Sequence, residues 1–302
     1  MFQEFVHEHI KGDGVSLFVR RAGPQNAPPI VLLHGYPQTS AMWESVAPIL
    51  AQSYQVICPD LRGYGQSEKP ASNASHQPYS KRAMANDIVA IMQRLGHESF
   101  LVGAHDRGAR VAHRMGLDHP GRVSAMVLLD IAPTREMYAN TNVEFARIYW
   151  HWFFLTLPSP LPEKMIGADP EMFWKNKCFT QAQNKSPFSS EALAEYLEAF
   201  SDPKMIHASC EDYRAAASID IENDNEDLGR KLNMPVLVLW AKQGAIERCF
   251  DALSLWRKRA EKVEGKALEA THYMAEEVPE EVAAHMSDFF CLNPIHAGQT
   301  SQ

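Results

Sequence analysis

Positive charge is in short supply: 29 Lys and Arg stand against 37 Asp and Glu in 302 residues, a formal net charge of −8. Such a balance leaves no basic footprint for nucleic acid or for an anionic membrane surface. Long apolar runs are missing, and no stretch approaches the length of a membrane span. The opening MFQEFVHEHIKGDG has neither a basic lead nor an apolar core, so it is not read as a secretory signal. Cysteine is sparse, at Cys58, Cys178, Cys210, Cys249 and Cys291. The odd number and wide scatter, without a CxxC pair, argue against a disulfide framework and a cysteine metal site; reduced thiols in the cytoplasm are the expectation. Internal repeats and low-complexity tracts are lacking. RGYG has neither the length nor the lysine of a phosphate-binding loop. The 13 histidines include His113/His119 and His105/His113, but neither pair sits in a carboxylate-rich, ligand-spaced setting. No metal and no cofactor is therefore expected.

What is present is 45% apolar and 22% charged, ordinary for a globular chain. Its length allows a large core with an inserted piece. Short apolar runs alternate with helical patterns, which predicts an α/β fold: a mostly parallel twisted sheet flanked by helices. FVHEHI and VSLFVRRA predict an opening hairpin. PPIVLLHG, YQVICPD, SFLVGAHD, VSAMVLLDIA, MPVLVLWAKQ and GKALEATHY predict further strands. SKRAMANDIVAIMQRLG reads as a helix, with Ser80 at its N-cap and Gly96 as its stop. The rhythm breaks between about residues 134 and 227, where the chain is helical, aromatic and punctuated by proline. The expectation is a core domain of residues 1–133 and 228–302. Residues 134–227 would form a helical cap over the carboxyl edge of the sheet, where such folds bind ligands. The last helix, PEEVAAHMSDFF, opens at Pro279, and the tail NPIHAGQTSQ reads as frayed.

The chemistry concentrates in LVGAHDRGAR. Ala104-His105-Asp106-Arg107-Gly108 fits the small-x-nucleophile-x-small pattern of a strand-to-helix elbow, with aspartate where serine is usual. Alone, Asp106 could equally be a helix cap. The surroundings favour the elbow. LLHGYPQTSAMW has the shape of a loop that offers a backbone N–H to a developing anion, DLRGYGQSEKP is a third pattern of the same kind, and EATHYMAEE places His272 just after the last strand.

At these motifs the chain resembles the α/β-hydrolase superfamily over its whole length. With HDRGAR, and YWHW in the inserted block, it resembles specifically the haloacetate (fluoroacetate) dehalogenases. The acid that orients His272 is expected at Asp130, at the end of AMVLLDIAP, where the dehalogenase pattern also has it. The loop after the next strand offers only Glu247 as a rival. A carboxylate nucleophile suits displacement at saturated carbon. Attack by Asp106 would give an ester; water activated by His272 would hydrolyse it, with the oxyanion held by the backbone N–H groups of Tyr36 and Arg107. Both dehalogenation and epoxide opening fit that scheme.

The neighbours discriminate. Haloalkane dehalogenases place a tryptophan directly after the aspartate; this chain has Arg107, with Arg110 one helical turn from Asp106. Two guanidiniums beside the nucleophile suit a substrate that carries its own carboxylate, although one of them could serve a structural ion pair. Read from the residues alone, the aromatic cluster of the insertion is packing. The resemblance implies instead that His151, Trp152 and Tyr213 bind the departing halide. It also implies a homodimer. Tyr138, Tyr149, Tyr196 and Tyr213 keep an epoxide hydrolase open as the alternative, since such enzymes use two tyrosines to activate the ring oxygen. A hydrolase-fold binding protein without turnover would require a broken triad, and Asp106, Asp130 and His272 all stand. The expected substrates are a small haloacetate and water.

Overall fold

A computed structural model describes residues 2–183 and 185–295. Eight strands form one sheet: β1 (Val6–Lys11), β2 (Ser16–Ala22), β3 (Pro29–Leu33), β4 (Gln55–Pro59), β5 (Phe100–His105), β6 (Val123–Leu129), β7 (Val236–Ala241) and β8 (Val263–Leu268). Their order is β1-β2-β4-β3-β5-β6-β7-β8. The pairs β1·β2 and β2·β4 are antiparallel, as the opening hairpin requires, and every later pairing is parallel. The chain therefore has the mostly parallel α/β sheet expected from its alternating pattern, in the arrangement that the resemblance to the α/β-hydrolase superfamily implies. The central strands β3 and β5 are buried almost end to end, which explains why they read as unbroken apolar runs and not as alternating ones.

The helix Lys81–Arg94 begins where expected. Ser80 is its N-cap, and its hydroxyl accepts from the Ala83 N–H at 3.2 Å. Gly96 follows the last turn at φ +88°, a left-handed position that glycine takes without strain. The helix Pro279–Leu292 starts at Pro279. Of the tail read as frayed, residues 296–302 lie outside the described residues.

Between β6 and β7 no strand is formed among the described residues. Helices run instead from Thr134–Ala139 through Trp150–Phe154, Pro170–Gln181 and Ser190–Phe200 to Pro203–Ala217 and Ile219–Glu226. This insertion is tied to the loops at the carboxyl edge of the sheet. Trp174 Nε1 donates to the Pro37 carbonyl at 3.1 Å, the Tyr64 hydroxyl donates to Asp212 at 2.6 Å, and Arg20 pairs with Glu195 at 2.7 Å. A short insertion gains its apolar burial largely by lying on the core, and these seams join the two layers.

Candidate active site

The elbow is built by backbone strain and by small neighbours. Asp106 has φ 45° and ψ −109°, a region that a side chain rarely adopts, and the chain turns there from β5 into the helix Arg107–Asp118. Such a residue costs about 1–3 kcal/mol and persists only where its surroundings hold it. Asp106 stands at the N-cap position yet makes no side-chain capping bond. A Cβ on Gly108 would lie 2.6 Å from the carbonyl oxygens of His34 and Leu33, and one on Gly35 would lie 2.6 Å from Asp106 Cβ. Those two glycines let the loop after β3 touch the elbow. The contact brings the Tyr36 N–H to Asp106 Oδ1 at 3.1 Å.

Asp130 follows β6 and His272 follows β8. His272 Nδ1 donates to Asp130 Oδ2 at 2.6 Å, and Asp130 Oδ1 accepts from the Ala241 N–H at 2.9 Å. With Nδ1–H engaged, the Nε2 lone pair of His272 is left available. Glu247 lies elsewhere, accepting from Trp240 Nε1. Asp106, Asp130 and His272 are at most 3% exposed, so their interactions are poorly screened by water. Burial alone would raise the Asp106 carboxyl. The positive fields of His272, His105, Lys177 and Arg110 outweigh it and hold Asp106 well below the usual carboxylate range.

The two arginines are held differently. Arg107 turns its paired face to Asp212 on the helix Pro203–Ala217: Nε donates to the carboxylate at 3.0 Å and Nη2 at 2.5 Å. Asp212 also accepts from Tyr64 and Lys81. Burial works against its ionisation, but Arg107 and Lys81 bring its carboxyl down to about 2. The structural ion pair that the sequence left open for one arginine thus exists, with a partner from the insertion in place of Asp106 or Asp130. Nη1 of Arg107 has no hydrogen-bond partner among the described residues. Arg110 donates from Nη1 to Thr134 Oγ1 at 2.6 Å and meets Met137 Sδ at 3.2 Å, while its Nε has no partner.

The insertion brings aromatic rings onto these guanidiniums. Arg107 lies 4.1 Å from the Tyr213 ring centroid and Arg110 lies 4.5 Å from that of Trp152. His151 stacks on Tyr36 at 5.9 Å, and Tyr213 meets Tyr36 edge-on at 5.1 Å. His151 Nδ1, Trp152 Nε1 and the Tyr213 hydroxyl are buried without a hydrogen-bond partner among the described residues. Native interiors leave few such groups, and a cluster of them beside a carboxylate points to a ligand. Burial keeps the Tyr213 hydroxyl protonated, and burial with the nearby Lys177 charge keeps His151 neutral. Trp152 and Tyr213 are therefore N–H and O–H donors without a full charge, and neutral His151 carries one N–H to set beside them.

Two residues at this site escaped the sequence reading. Asp212 sits next to Tyr213 in CEDYRAA, and Lys177 sits in FWKNKCF. Each is a charged residue in an apolar helical face, a weak signal because a charge in a helix is most often solvated. Of the tyrosines that kept an epoxide reading open, Tyr196 donates to Glu276 at 2.8 Å, whereas the hydroxyls of Tyr138 and Tyr213 have no partner among the described residues.

The geometry has counterparts. Residues 28–277 match the alpha/beta hydrolase fold family. A fluoroacetate dehalogenase from Burkholderia sp is 43% identical over 87% of this chain and 87% of its own. A soluble epoxide hydrolase from Corynebacterium sp. (strain C12) is 32% identical over 96% of this chain and 99% of its own. The crystal structure of ALR0039, an α/β hydrolase from Nostoc sp PCC 7120, superposes with a TM-score of 0.93 at 49% identity, covering 96% of this chain and 99% of that one.

Proposed function

The chain belongs to the α/β-hydrolase family, and from that premise we propose that it hydrolyses the carbon–halogen bond of small haloacetates, turning fluoroacetate into glycolate and fluoride. The observation that carries this reading is the pair of buried guanidinium nitrogens without a partner among the described residues, Arg107 Nη1 and Arg110 Nε, on the residue after Asp106 and on the one a helical turn further. A neutral substrate has no use for them; a substrate carboxylate satisfies both. The Burkholderia dehalogenase supports the same reading.

In this scheme Asp106 Oδ2 attacks the α-carbon from the side opposite the halogen. The carbon–halogen bond breaks and the halide leaves with the bonding pair, met by His151, Trp152 and Tyr213. Fluoride carries the most concentrated charge, so donors placed in advance in a dry site matter most for it. Asp106 is now an ester. His272 Nε2 takes a proton from water as the water oxygen bonds to the Asp106 carbonyl carbon. Negative charge gathers on Oδ1, against the Tyr36 N–H; the Arg107 backbone N–H is assigned the second contact. Collapse expels the glycolate oxygen, which takes the proton from His272. Asp106 then loses its own proton to solvent. Asp130 holds the tautomer of His272 and stabilises its imidazolium.

A second reading has one observation behind it: the free hydroxyls of Tyr138 and Tyr213 could polarise an epoxide oxygen, as the corynebacterial relative's name would suggest. The wild-type protein should release halide from fluoroacetate and chloroacetate, and Asp106→Asn should abolish it, because a neutral amide cannot attack. Turnover of a simple epoxide with no halide release from either acid would favour the second reading. Residues 134–227 act in this scheme as a cap domain on a core of residues 1–133 and 228–302. A cytoplasmic enzyme that pairs as a homodimer fits the rest: the insertion exposes Leu161, Met165 and Met172, and no helix among the described residues is long and apolar enough to cross a membrane.

A further inference from the structure

Lys177 is a buried cation that the scheme above does not use. It lies on the helix Pro170–Gln181 of the insertion and is 2% exposed. Its ammonium donates to the Tyr36 carbonyl at 3.0 Å and to the Tyr273 hydroxyl at 3.3 Å. It forms no ion pair with a described Asp or Glu. Burying a lysine charge among neutral acceptors is costly unless an anion lies near. The anion here is Asp106, whose field opposes the pull of burial towards a neutral lysine; Cys178 also lies near, but burial pushes its thiol up to about 11, so it is uncharged. Of the positive fields on Asp106, that of His105 is absent at neutral pH, since burial, aided by His272, pushes this ring down to about 3. Lys177 and Arg110 are the two cations of that set that do not depend on an imidazole.

We propose that Lys177 is the positioning residue of the oxyanion site: it fixes Tyr36 through its carbonyl, so that the Tyr36 N–H stays on Asp106 Oδ1, and its charge favours the state in which Oδ1 is negative. This inference rests on Asp106 forming an ester, whichever leaving group the substrate carries. The charge on Oδ1 follows a definite course. It is present in the free enzyme, vanishes when Asp106 becomes a neutral ester, and returns in the tetrahedral intermediate. Lys177 therefore opposes the first step, which consumes the charge, and assists the second, which restores it. Only a group that is worth more in a transition state than in the state before it accelerates that step.

Lys177→Met keeps the length of the side chain and removes both the charge and the donor. Rapid-quench measurement with chloroacetate should show alkylation of Asp106 unchanged or faster. Hydrolysis of the ester should slow by roughly 10- to 100-fold, at or below the loss of a direct oxyanion donor. The variant should give a burst of about one chloride per site, with the carboxymethyl ester on Asp106 visible by intact mass. Lys177→Arg, which restores charge and a donor, should recover part of the hydrolysis rate. A purely structural lysine predicts something else: both steps slowed together, no ester accumulating, and no advantage of Arg over Met. That outcome, or full wild-type rates in Lys177→Met, overturns the proposal. His272→Asn is the separate control. It should trap the same ester if the Asp106 reading is right, and absence of the adduct there, with chloroacetate and with an epoxide, would bring down that reading and the inference together.

Discussion

The two halves of the site are held by different physics. The core half is positioned by backbone: the strained turn at Asp106, the Tyr36 N–H on Oδ1, and the Ala241 N–H behind Asp130. Each of these follows from where a strand ends. The insertion half is positioned by side chains on side chains, rings on guanidiniums and a buried carboxylate on Arg107. A backbone-held group keeps its place when a neighbour is truncated, whereas a group held by packing moves with it. The core should therefore set whether the reaction occurs, and the insertion should set which substrate it occurs on.

The largest test of that division is made at Asp212. Loss of this carboxylate leaves Arg107 a buried cation with no ion pair among the described residues, and leaves Lys81 with Asp220 at 3.9 Å. Asp212→Asn should lower kcat/KM for chloroacetate by about two decades, comparable to losing a charge-assisted contact in a closed site. Arg107→Lys should do the same, because lysine cannot present one face to Asp212 and another to a substrate. The double variant should be little worse than Arg107→Lys alone if Asp212 acts through Arg107. Fully additive losses would mean that Asp212 serves fold stability separately, and the assignment of specificity to the insertion would weaken.

A smaller and more selective effect is expected at Trp152. Its indole N–H is buried without a partner among the described residues while its ring packs on Arg110, Tyr138 and Phe145. Trp152→Phe keeps an aromatic surface and removes the donor. Fluoroacetate turnover should fall at least about tenfold more than chloroacetate turnover, since fluoride leaves with the strongest bond broken and the densest charge. Steady-state rates on both acids measure this directly. An equal loss on the two substrates would return Trp152 to packing and leave the halide to other donors.

The same contrast explains what the sequence could and could not show. The alternating runs foretold the sheet and the break at residue 134, because burial on both faces leaves unbroken apolar strands. Asp106 was legible from Ala104 and Gly108, small residues that its turn requires. His272 was legible from its place after the last strand, and Asp130 from ending a buried one. His151, Trp152 and Tyr213 were visible only through family resemblance: on composition alone, aromatic residues in a helical block are core. Asp212 and Lys177 gave only a weak signal, a charge within an apolar helical stretch, since what makes them matter is a contact across the seam, Asp212 with an elbow residue more than a hundred positions away. Arg107 was noticed, but its ion pair with Asp212 was not.

The seam itself carries the smallest effect. Glu276, after β8, accepts from Tyr196 of the insertion at 2.8 Å and from Gln38 of the loop after β3 at 2.6 Å. Burial pushes its carboxyl up to about 8; those two hydrogen bonds oppose the rise, and the nearby charges of Glu44 and Glu277 add to it. Glu276 therefore keeps in the folded protein a proton that it gives up on unfolding. Wherever the unfolded chain binds fewer protons, stability falls as pH rises. The contribution of Glu276 is thus whole below the ordinary glutamate range and is lost as pH climbs through about 8. Glu276→Gln removes that titration while keeping a carbonyl for Tyr196. Melting temperatures near pH 6 and pH 9 should fall further in the wild type than in the variant, with the two proteins most alike at the lower pH. Parallel falls would mean that the carboxylate is already charged at pH 6, and that the insertion is held to the sheet without help from a proton.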